Sequence, residues 1–134
     1  MPELDQQRPS ISSHALRNRR ILVVEDEYLL AQDLARELED LGAEVLGPVP
    51  SVEEALALLD AEAPPDAAIL DVNLGGEMVF PVAEALRERG VPFLFATGYD
   101  LWSLPQAYAD VPCFEKPFDV GSCVWTLFGQ NISS

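Results

Sequence analysis

The sequence predicts an α/β fold in which helices cover both faces of a parallel sheet. Two observations carry this prediction. Short apolar runs such as residues 21–24 alternate with segments whose apolar residues recur at helical spacing. At 134 residues and 49% hydrophobic composition, the chain is long enough for one domain with a proper core. The predicted domain covers residues 20–130, between a flexible leader, 1–19, and a short tail, 131–134.

The first strand and helix follow the leader directly. Residues 20–24 form a continuous apolar run, which is typical of a strand buried on both faces. A helix is predicted over residues 27–41, and Gly42 ends it as a C-cap. Its predicted buried stripe consists of Leu29, Leu30, Leu34, Leu38 and Leu41.

The alternation of strand and helix continues to the end of the chain. A second strand, 44–47, precedes a helix that Ser51 caps and Pro64 ends. The later elements are strands at 66–70, 91–96 and 111–114, with helices at 79–89 and 119–128 and a weak one at 101–108. Five strands joined by right-handed crossovers favour a flavodoxin-like, doubly wound sheet of order 2-1-3-4-5. Ligands of such folds bind at the carboxyl ends of the strands, where the order reverses.

The charge distribution excludes two classes of partner. The formal net charge is -15, and four of the eight basic residues lie within the first twenty. Residues 21–134 therefore carry four basic and 21 acidic residues, a net of -17. Such a surface repels nucleic acid and anionic lipid, so we expect the protein to bind neither. The basic cluster is interpreted as a solvated arm, with partner docking as the alternative.

Location and redox state follow from two features of the sequence. No run approaches the roughly 18 apolar residues needed to span a bilayer, and no signal-peptide core is present. We therefore expect a cytoplasmic protein. Cys113 and Cys123 are too few for a disulfide framework or a zinc site, and we expect free thiols.

Polar residues follow four of the five predicted strands. They are Glu25 and Asp26 after strand 1, Asp71 after strand 3, Thr97 after strand 4 and Lys116 after strand 5. Neighbouring carboxylates raise one another's pKa unless a cation lies between them. Oxygen ligands without His or Cys favour Mg²⁺ as that cation.

Lys116 is the only lysine of the chain, and it directly precedes Pro117. Proline favours an extended backbone before it, so the ammonium can reach back over the carboxylates. An ammonium, the Thr97 hydroxyl and Mg²⁺ around Asp71 are the set needed to hold three phosphoryl oxygens. Glu27 is interpreted instead as a favourable first-turn acid of the first helix.

Four segments together resemble the signatures of a known family. ILVVEDE (21–27), AAILDVNLGGE (67–77), FATGYD (95–100) and CFEKPF (113–118) are similar, in order and spacing, to motifs of the response regulator receiver domain of two-component signalling. The resemblance covers residues 20–128. FATGY also resembles a subgroup of mostly single-domain receivers, the FAT GUY family, which tend to work with histidine kinases of the HWE and related classes.

The resemblance implies a role for each matched residue. Asp71 would accept a phosphoryl group from a phosphohistidine of the kinase. Asp26 would bind Mg²⁺ directly, Glu25 through water, and Asn73 through its backbone carbonyl. Thr97 and Lys116 would each contact a phosphoryl oxygen.

The resemblance also implies positions that modulate the site. Gly98 leaves room beside the phosphoryl group, and Asn73 and Tyr99 stand where the family tunes self-dephosphorylation. Receivers usually carry Tyr or Phe three residues before the lysine, where this chain has Cys113. The usual coupling between the threonine and a ring is therefore not implied. Tyr99 and Trp102 are alternative reporters of the active state, unless they only pack the short helix.

The sequence thus predicts a stand-alone receiver that signals by phosphorylation-dependent contact with a partner protein. The apolar faces of the last two helices are interpreted as part of the core, with a homodimer or kinase-docking surface as the alternative. We expect no enzymatic activity beyond slow self-dephosphorylation. The alternatives are a phosphate sink, a phosphorylation-independent adaptor and an aspartyl-phosphate hydrolase. The hydrolase requires a second acid two residues after the nucleophile, where Asn73 stands.

Overall fold

A five-stranded parallel sheet forms the centre of the computed structural model, which describes residues 14–98 and 104–129. Its strands are β1 (Arg20–Val24), β2 (Glu44–Val49), β3 (Ala67–Asp71), β6 (Phe93–Thr97) and β7 (Cys113–Glu115). Their order across the sheet is β2-β1-β3-β6-β7. Strands β4 (Asn73–Leu74) and β5 (Glu77–Met78) form a separate antiparallel hairpin. With the hairpin set aside, the predicted order 2-1-3-4-5 and the flavodoxin-like fold are confirmed.

Helices cover both faces of the sheet, as predicted. The helices that the structure describes are α1 (Tyr28–Asp40), α2 (Val52–Ala61), α3 (Phe80–Glu88) and α4 (Val120–Phe128). Buried side chains of α2 and α3 pack in one core cluster, and those of α1 and α4 in the other. Alternate residues of β1 point to opposite clusters, since Leu22 belongs to the first and Val23 to the second. No helix of the described residues is long and apolar enough to cross a membrane.

The packed part of the chain begins before the predicted boundary at residue 20. The Leu16 side chain is fully buried in the same core cluster as residues of α1 and α4, and the Leu16 N–H donates to the Leu41 carbonyl over 2.8 Å. The Arg19 guanidinium lies 5.1 Å from the centre of the Phe128 ring. A single leucine within a polar segment produces no periodic signal, so its burial could not be predicted from the sequence.

The buried face of α1 differs from the predicted leucine stripe. Leu34 and Leu38 are buried as predicted, but two alanines, Ala31 and Ala35, complete the face. Leu29 and Leu30 are exposed, so their predicted burial is wrong. At about 100° per residue, Leu29 lies on the side of the helix opposite to the buried face.

Residues 104–112, which precede β7, are less helical than predicted. Within the described residues, the weak helix predicted at 101–108 is reduced to a 3-10 helix, Gln106–Tyr108. Pro105 stands immediately before it in an extended conformation (ψ 149°). Proline also has no N–H to donate, so an α-helix cannot continue through this position without losing a hydrogen bond.

Candidate functional site

The three predicted carboxylates meet at the carboxyl edge of the sheet. Asp71 ends β3, and Glu25 and Asp26 follow the neighbouring strand β1, which is where the strand order reverses. Carboxylate oxygens of Glu25, Asp26 and Asp71 all lie within 4.8 Å of one another. Glu25 and Asp71 are both buried. Burial of acidic side chains at this density requires compensating positive charge.

Lys116 supplies that positive charge from the loop after β7. Its Nζ lies 2.7 Å from Glu25 Oε1 and 3.1 Å from Asp71 Oδ2. The Lys116 N–H donates to the Thr97 carbonyl over 2.9 Å, which fixes the lysine backbone to the end of β6. The peptide bond between Lys116 and Pro117 is cis, a feature that the sequence analysis did not predict.

The protonation of this cluster is set by burial and by the charges within it. The pKa of Asp71 is raised from 3.8 to about 7, chiefly by burial and next by the Glu25 carboxylate, while the Lys116 ammonium opposes both. Burial would lower the pKa of Lys116, but its hydrogen bonds and attraction to Glu25 and Asp71 raise it above its usual value. The lysine is therefore protonated at neutral pH, while Asp71 is only partly ionised.

A hard divalent cation fits this set of residues. The Lys116 ammonium pairs with Glu25 and Asp71, two of the three grouped carboxylates, so the cluster carries surplus negative charge. The three grouped ligands offer only oxygen atoms, which is the donor chemistry that Mg²⁺ and Ca²⁺ prefer. Such an ion would favour the ionised form of Asp71, which is the form that can act as a nucleophile.

Glu27 also lies next to Lys116, a contact that was not predicted from the sequence. It is the N-cap residue of α1 rather than a first-turn acid, and its side chain makes no capping hydrogen bond. The Glu27 N–H donates to Glu25 Oε2 over 3.0 Å, and its Oε1 lies 3.6 Å from Lys116 Nζ. The interpretation as a first-turn acid is therefore wrong, because α1 begins one residue later and the Glu27 carboxylate lies within ion-pair distance of the lysine.

Asn73 and the hairpin form the wall of the site next to Asp71. The Asn73 N–H donates to Asp71 Oδ1 over 3.3 Å, and the Asn73 side-chain oxygen accepts from the Gly76 N–H over 2.6 Å. Gly75 and Gly76 have φ values of 67° and 101°, a conformation that favours glycine. The turn brings Gly75 close to the carboxylate of Asp26. The Asn73 side chain is thus occupied in holding the hairpin.

Thr97 and Gly98 complete the rim at the end of β6. Thr97 is buried, and β6 pairs with β3 so that Ala96 stands beside Asp71. A Cβ atom added to Gly98 would meet no atom within 4 Å, so the space beside it is open. Tyr99 and Trp102 lie outside the described residues. An open cavity of about 610 Å³ is lined by Asp26, Glu27, Asp71, Asn73, Gly75, Gly76, Gly98 and Lys116.

Cys113 stands where a ring was expected, and a different ring lies nearby. Cys113 pairs with Phe95 across the sheet, carries a free thiol whose pKa is raised by burial, and borders a cavity of about 480 Å³. Tyr108 borders the same cavity and stacks on Phe80 at 5.1 Å. The Tyr108 hydroxyl donates to the Glu84 carboxylate. The role of Tyr108 could not be predicted from the sequence, because it follows Pro105 in a segment without periodicity.

Comparisons with known proteins agree with this geometry. A family model described as the response regulator receiver domain matches residues 21–120. LytT, a sensory transduction protein of Bacillus cereus, is 35% identical over 81% of this chain and 45% of its own length. The chain spans about half the length of the curated relatives it matches.

Two solved structures are similar over most of the chain. The solution structure of SdrG from Sphingomonas melonis Fr1 is 44% identical, with a TM-score of 0.71, over 84% of this chain and 97% of that one. A response regulator protein from Burkholderia pseudomallei is 28% identical, with a TM-score of 0.74, over 85% and 69% of the two chains. That structure contains a phosphorylated aspartic acid, a calcium ion and citrate.

Proposed function

Because the chain belongs to the response regulator receiver domain family, we propose that Asp71 accepts a phosphoryl group from a phosphohistidine of a partner histidine kinase. The observation that carries the proposal is the Lys116 ammonium held between the buried carboxylates of Glu25 and Asp71. This pairing positions one carboxylate and one cation together at the open edge of the sheet, as phosphoryl transfer requires.

The proposed reaction needs no further reactant. An Asp71 oxygen forms a bond to phosphorus, the P–N bond to the kinase imidazole breaks, and the imidazole nitrogen keeps the electron pair. Lys116 Nζ lies 3.1 Å from Asp71 Oδ2. Once the phosphoryl group is attached to Asp71, the ammonium can pair with one of its oxygens. Thr97 lies at the end of the neighbouring strand, and its hydroxyl is proposed to donate a hydrogen bond to a second phosphoryl oxygen.

Mg²⁺ is the proposed metal of the site. We assign Asp26 as its direct ligand, Glu25 as a ligand through water and the backbone carbonyl of Asn73 as a further ligand. The grouping of three carboxylates within 4.8 Å supports this assignment. When bound, Mg²⁺ would neutralise charge on the carboxylates and the phosphoryl oxygens. Asp71 remains the nucleophile in this scheme.

The kinase is proposed to dock beside the site on the first turn of α1. Three exposed apolar side chains, Tyr28, Leu29 and Leu30, directly follow Glu27, and they are 72%, 75% and 42% exposed. Large apolar side chains are costly to leave in water side by side, and such patches mark binding surfaces. A kinase that covers this patch would bring its phosphohistidine to Asp71.

We further propose that the protein acts as a stand-alone receiver of the FAT GUY subgroup and pairs with a kinase of the HWE or a related class. The motif of residues 95–99 and the thiol at Cys113 support the subgroup. The similarity to SdrG over 97% of that chain supports a single-domain form. Its output is proposed to be contact with a partner protein. Homodimerisation through α4, where Trp125 is 39% exposed, stays a prediction.

We propose that the protein is a phosphoacceptor and not an enzyme. An aspartyl-phosphate hydrolase needs an acid two residues after the nucleophile for general acid–base catalysis. The residue at that position, Asn73, has an amide that is bound to the hairpin backbone. Steady release of phosphate from unrelated phosphoesters would favour the hydrolase.

Intact-mass measurement after incubation with acetyl phosphate and Mg²⁺ tests the proposal. We expect the mass to rise by one phosphoryl group in the natural chain and in Asp40→Asn, an exposed acid at the far end of α1. We expect no gain in Asp71→Asn. A gain that survives Asp71→Asn would show that another residue is the acceptor.

A further inference from the structure

We propose that Glu27 is a specificity-determining residue of this site: its carboxylate holds the outer side of Lys116 and disfavours phosphodonors in proportion to their negative charge. The inference rests on the proposed phosphoacceptor function of Asp71. It assigns to Glu27 the discrimination between free anionic donors and a donor delivered by a docked protein.

The position of Glu27 is the first ground. Its Oε1 lies 3.6 Å from Lys116 Nζ, and the same ammonium lies 3.1 Å from Asp71 Oδ2. Glu27 and Asp71 line one open cavity. The Glu27 side chain is 63% exposed and that of Asp71 only 6%, so Glu27 stands at the entrance and Asp71 at the floor. A phosphoryl group on its way to Asp71 passes the Glu27 carboxylate.

Folding of α1 does not depend on this side chain. The N-cap position is held by the backbone, because the Glu27 carbonyl accepts from the Ala31 N–H over 2.9 Å. The Glu27 side chain makes no capping hydrogen bond. The Glu27 side chain is 63% exposed and lies 3.6 Å from Lys116, so solvent screens this ion pair and it contributes little to stability. The carboxylate can therefore be removed without loss of the fold.

Two electrostatic effects of Glu27 act on an incoming donor in the same direction. The Glu27 carboxylate attracts the ammonium that a phosphoryl oxygen needs, and it repels the phosphoryl group itself. Both effects grow with the negative charge of the donor. Acetyl phosphate is a dianion at neutral pH and phosphoramidate a monoanion. Glu27 therefore raises the activation free energy for acetyl phosphate by about twice as much as for phosphoramidate. A phosphohistidine on a docked kinase overcomes the same barrier with binding energy from the protein contact.

Uptake rates with these two donors test the inference on the full chain. At saturating Mg²⁺, Glu27→Gln should react with acetyl phosphate roughly 3- to 10-fold faster than the natural chain at low ionic strength. The gain with phosphoramidate should be about the square root of that factor, and both gains should shrink as salt is added. Glu27→Asp keeps the charge and should retain most of the discrimination.

The matched control is Glu39→Gln, which removes one negative charge from the far end of α1, where Glu39 is exposed. Its ratio of acetyl phosphate to phosphoramidate rates should equal that of the natural chain. An unchanged ratio in Glu27→Gln, with normal uptake, would overturn the role of Glu27 alone. A failure of the natural chain and Glu27→Gln to take up phosphate from either donor would overturn the acceptor role of Asp71 and this inference together.

Discussion

The Lys116 ammonium and the Asp71 carboxylate, which are 45 residues apart in the sequence, meet at 3.1 Å on the carboxyl edge of the sheet. Two strand ends bring them together, since Asp71 closes β3 and Lys116 follows β7. The pair combines the proposed nucleophile, Asp71, with the cation that is proposed to bind a phosphoryl oxygen after transfer.

Replacement of Lys116 by alanine should separate acceptance of phosphate from the response to it. Without the ammonium, Glu25 and Asp71 remain buried with no lysine partner, so the unfolding free energy should fall by roughly 2 to 4 kcal/mol. Lys116→Ala should still accept phosphate at saturating Mg²⁺, but it should lose phosphorylation-dependent binding to its partner. Denaturant titration and a binding assay measure the two effects. A variant that responds fully would show that the lysine has another role.

Replacement of Asp71 by asparagine should stabilise the metal-free protein above neutral pH. The pKa of Asp71 is raised from 3.8 to about 7, so the folded state holds a proton that the unfolded state has released between these values. Stability therefore falls as the pH rises through this window. Asp71→Asn removes this penalty but also the ion pair with Lys116, so the net gain should be about 1 to 2 kcal/mol at pH ~8.

Thermal unfolding without divalent ions at several pH values measures this stability difference. The advantage of Asp71→Asn should be small near the acidic end of the window and should grow towards neutrality. An advantage that is independent of pH would contradict the raised pKa.

Mg²⁺ should stabilise the natural chain and release protons as it binds. Binding to the folded state alone raises stability with the logarithm of the ion concentration, by about 2.7 kcal/mol at 100 times the dissociation constant. The ion also favours ionised Asp71, so protons should leave near pH 7. Calorimetry in two buffers of different ionisation enthalpy measures both effects. Asp26→Asn should weaken binding strongly, whereas Asp40→Asn should not; equal affinities in all three proteins would remove Asp26 from the ligand set.

The exposed patch on the first turn of α1 should matter for the kinase and not for small donors. Leu29→Ser removes a side chain that is 75% exposed, so the fold should be unaffected. Phosphotransfer from the cognate kinase should slow roughly tenfold, as expected when a central interface residue is truncated. Uptake from acetyl phosphate should stay the same and serves as the internal control. An undiminished rate of transfer would place the kinase elsewhere.

Two substitutions of Tyr108 distinguish the contribution of its ring to stability from that of its hydroxyl. The ring stacks on Phe80 and contacts Phe95, and the hydroxyl donates to Glu84. Tyr108→Ala should lower the unfolding free energy by roughly 3 to 5 kcal/mol, and Tyr108→Phe by about 1 kcal/mol. Denaturant titration gives both values. An equal loss in the two variants would assign the stability to the hydroxyl and not to the ring.

Residues in regular strands were the easiest to locate from the sequence. Strands buried on both faces read as continuous apolar runs, so the first polar residue after each run marks the edge of the sheet. Asp71 and Glu25 follow such runs, and parallel topology then requires their side chains to share one edge. The grouping of the site could therefore be anticipated before any distance was known.

Residues whose roles depend on side-chain direction could not be located in this way. Glu27 reads as a helix-start acid, and only the coordinates show its carboxylate turned to Lys116. Leu29 reads as part of a leucine stripe, but two alanines occupy the face that packs on the sheet. Sequence periodicity weights large apolar residues, whereas packing of α1 close to β1 and β2 accepts small ones.

The most direct test of the account is to identify the residue that carries the phosphoryl group. Treatment of the phosphorylated chain with borohydride reduces an aspartyl phosphate to homoserine, and peptide mass spectrometry locates the change. Asp71 as the acceptor predicts homoserine at position 71 and at no other position. Homoserine at position 26 or elsewhere, or none in a chain that has gained a phosphoryl group, would contradict it.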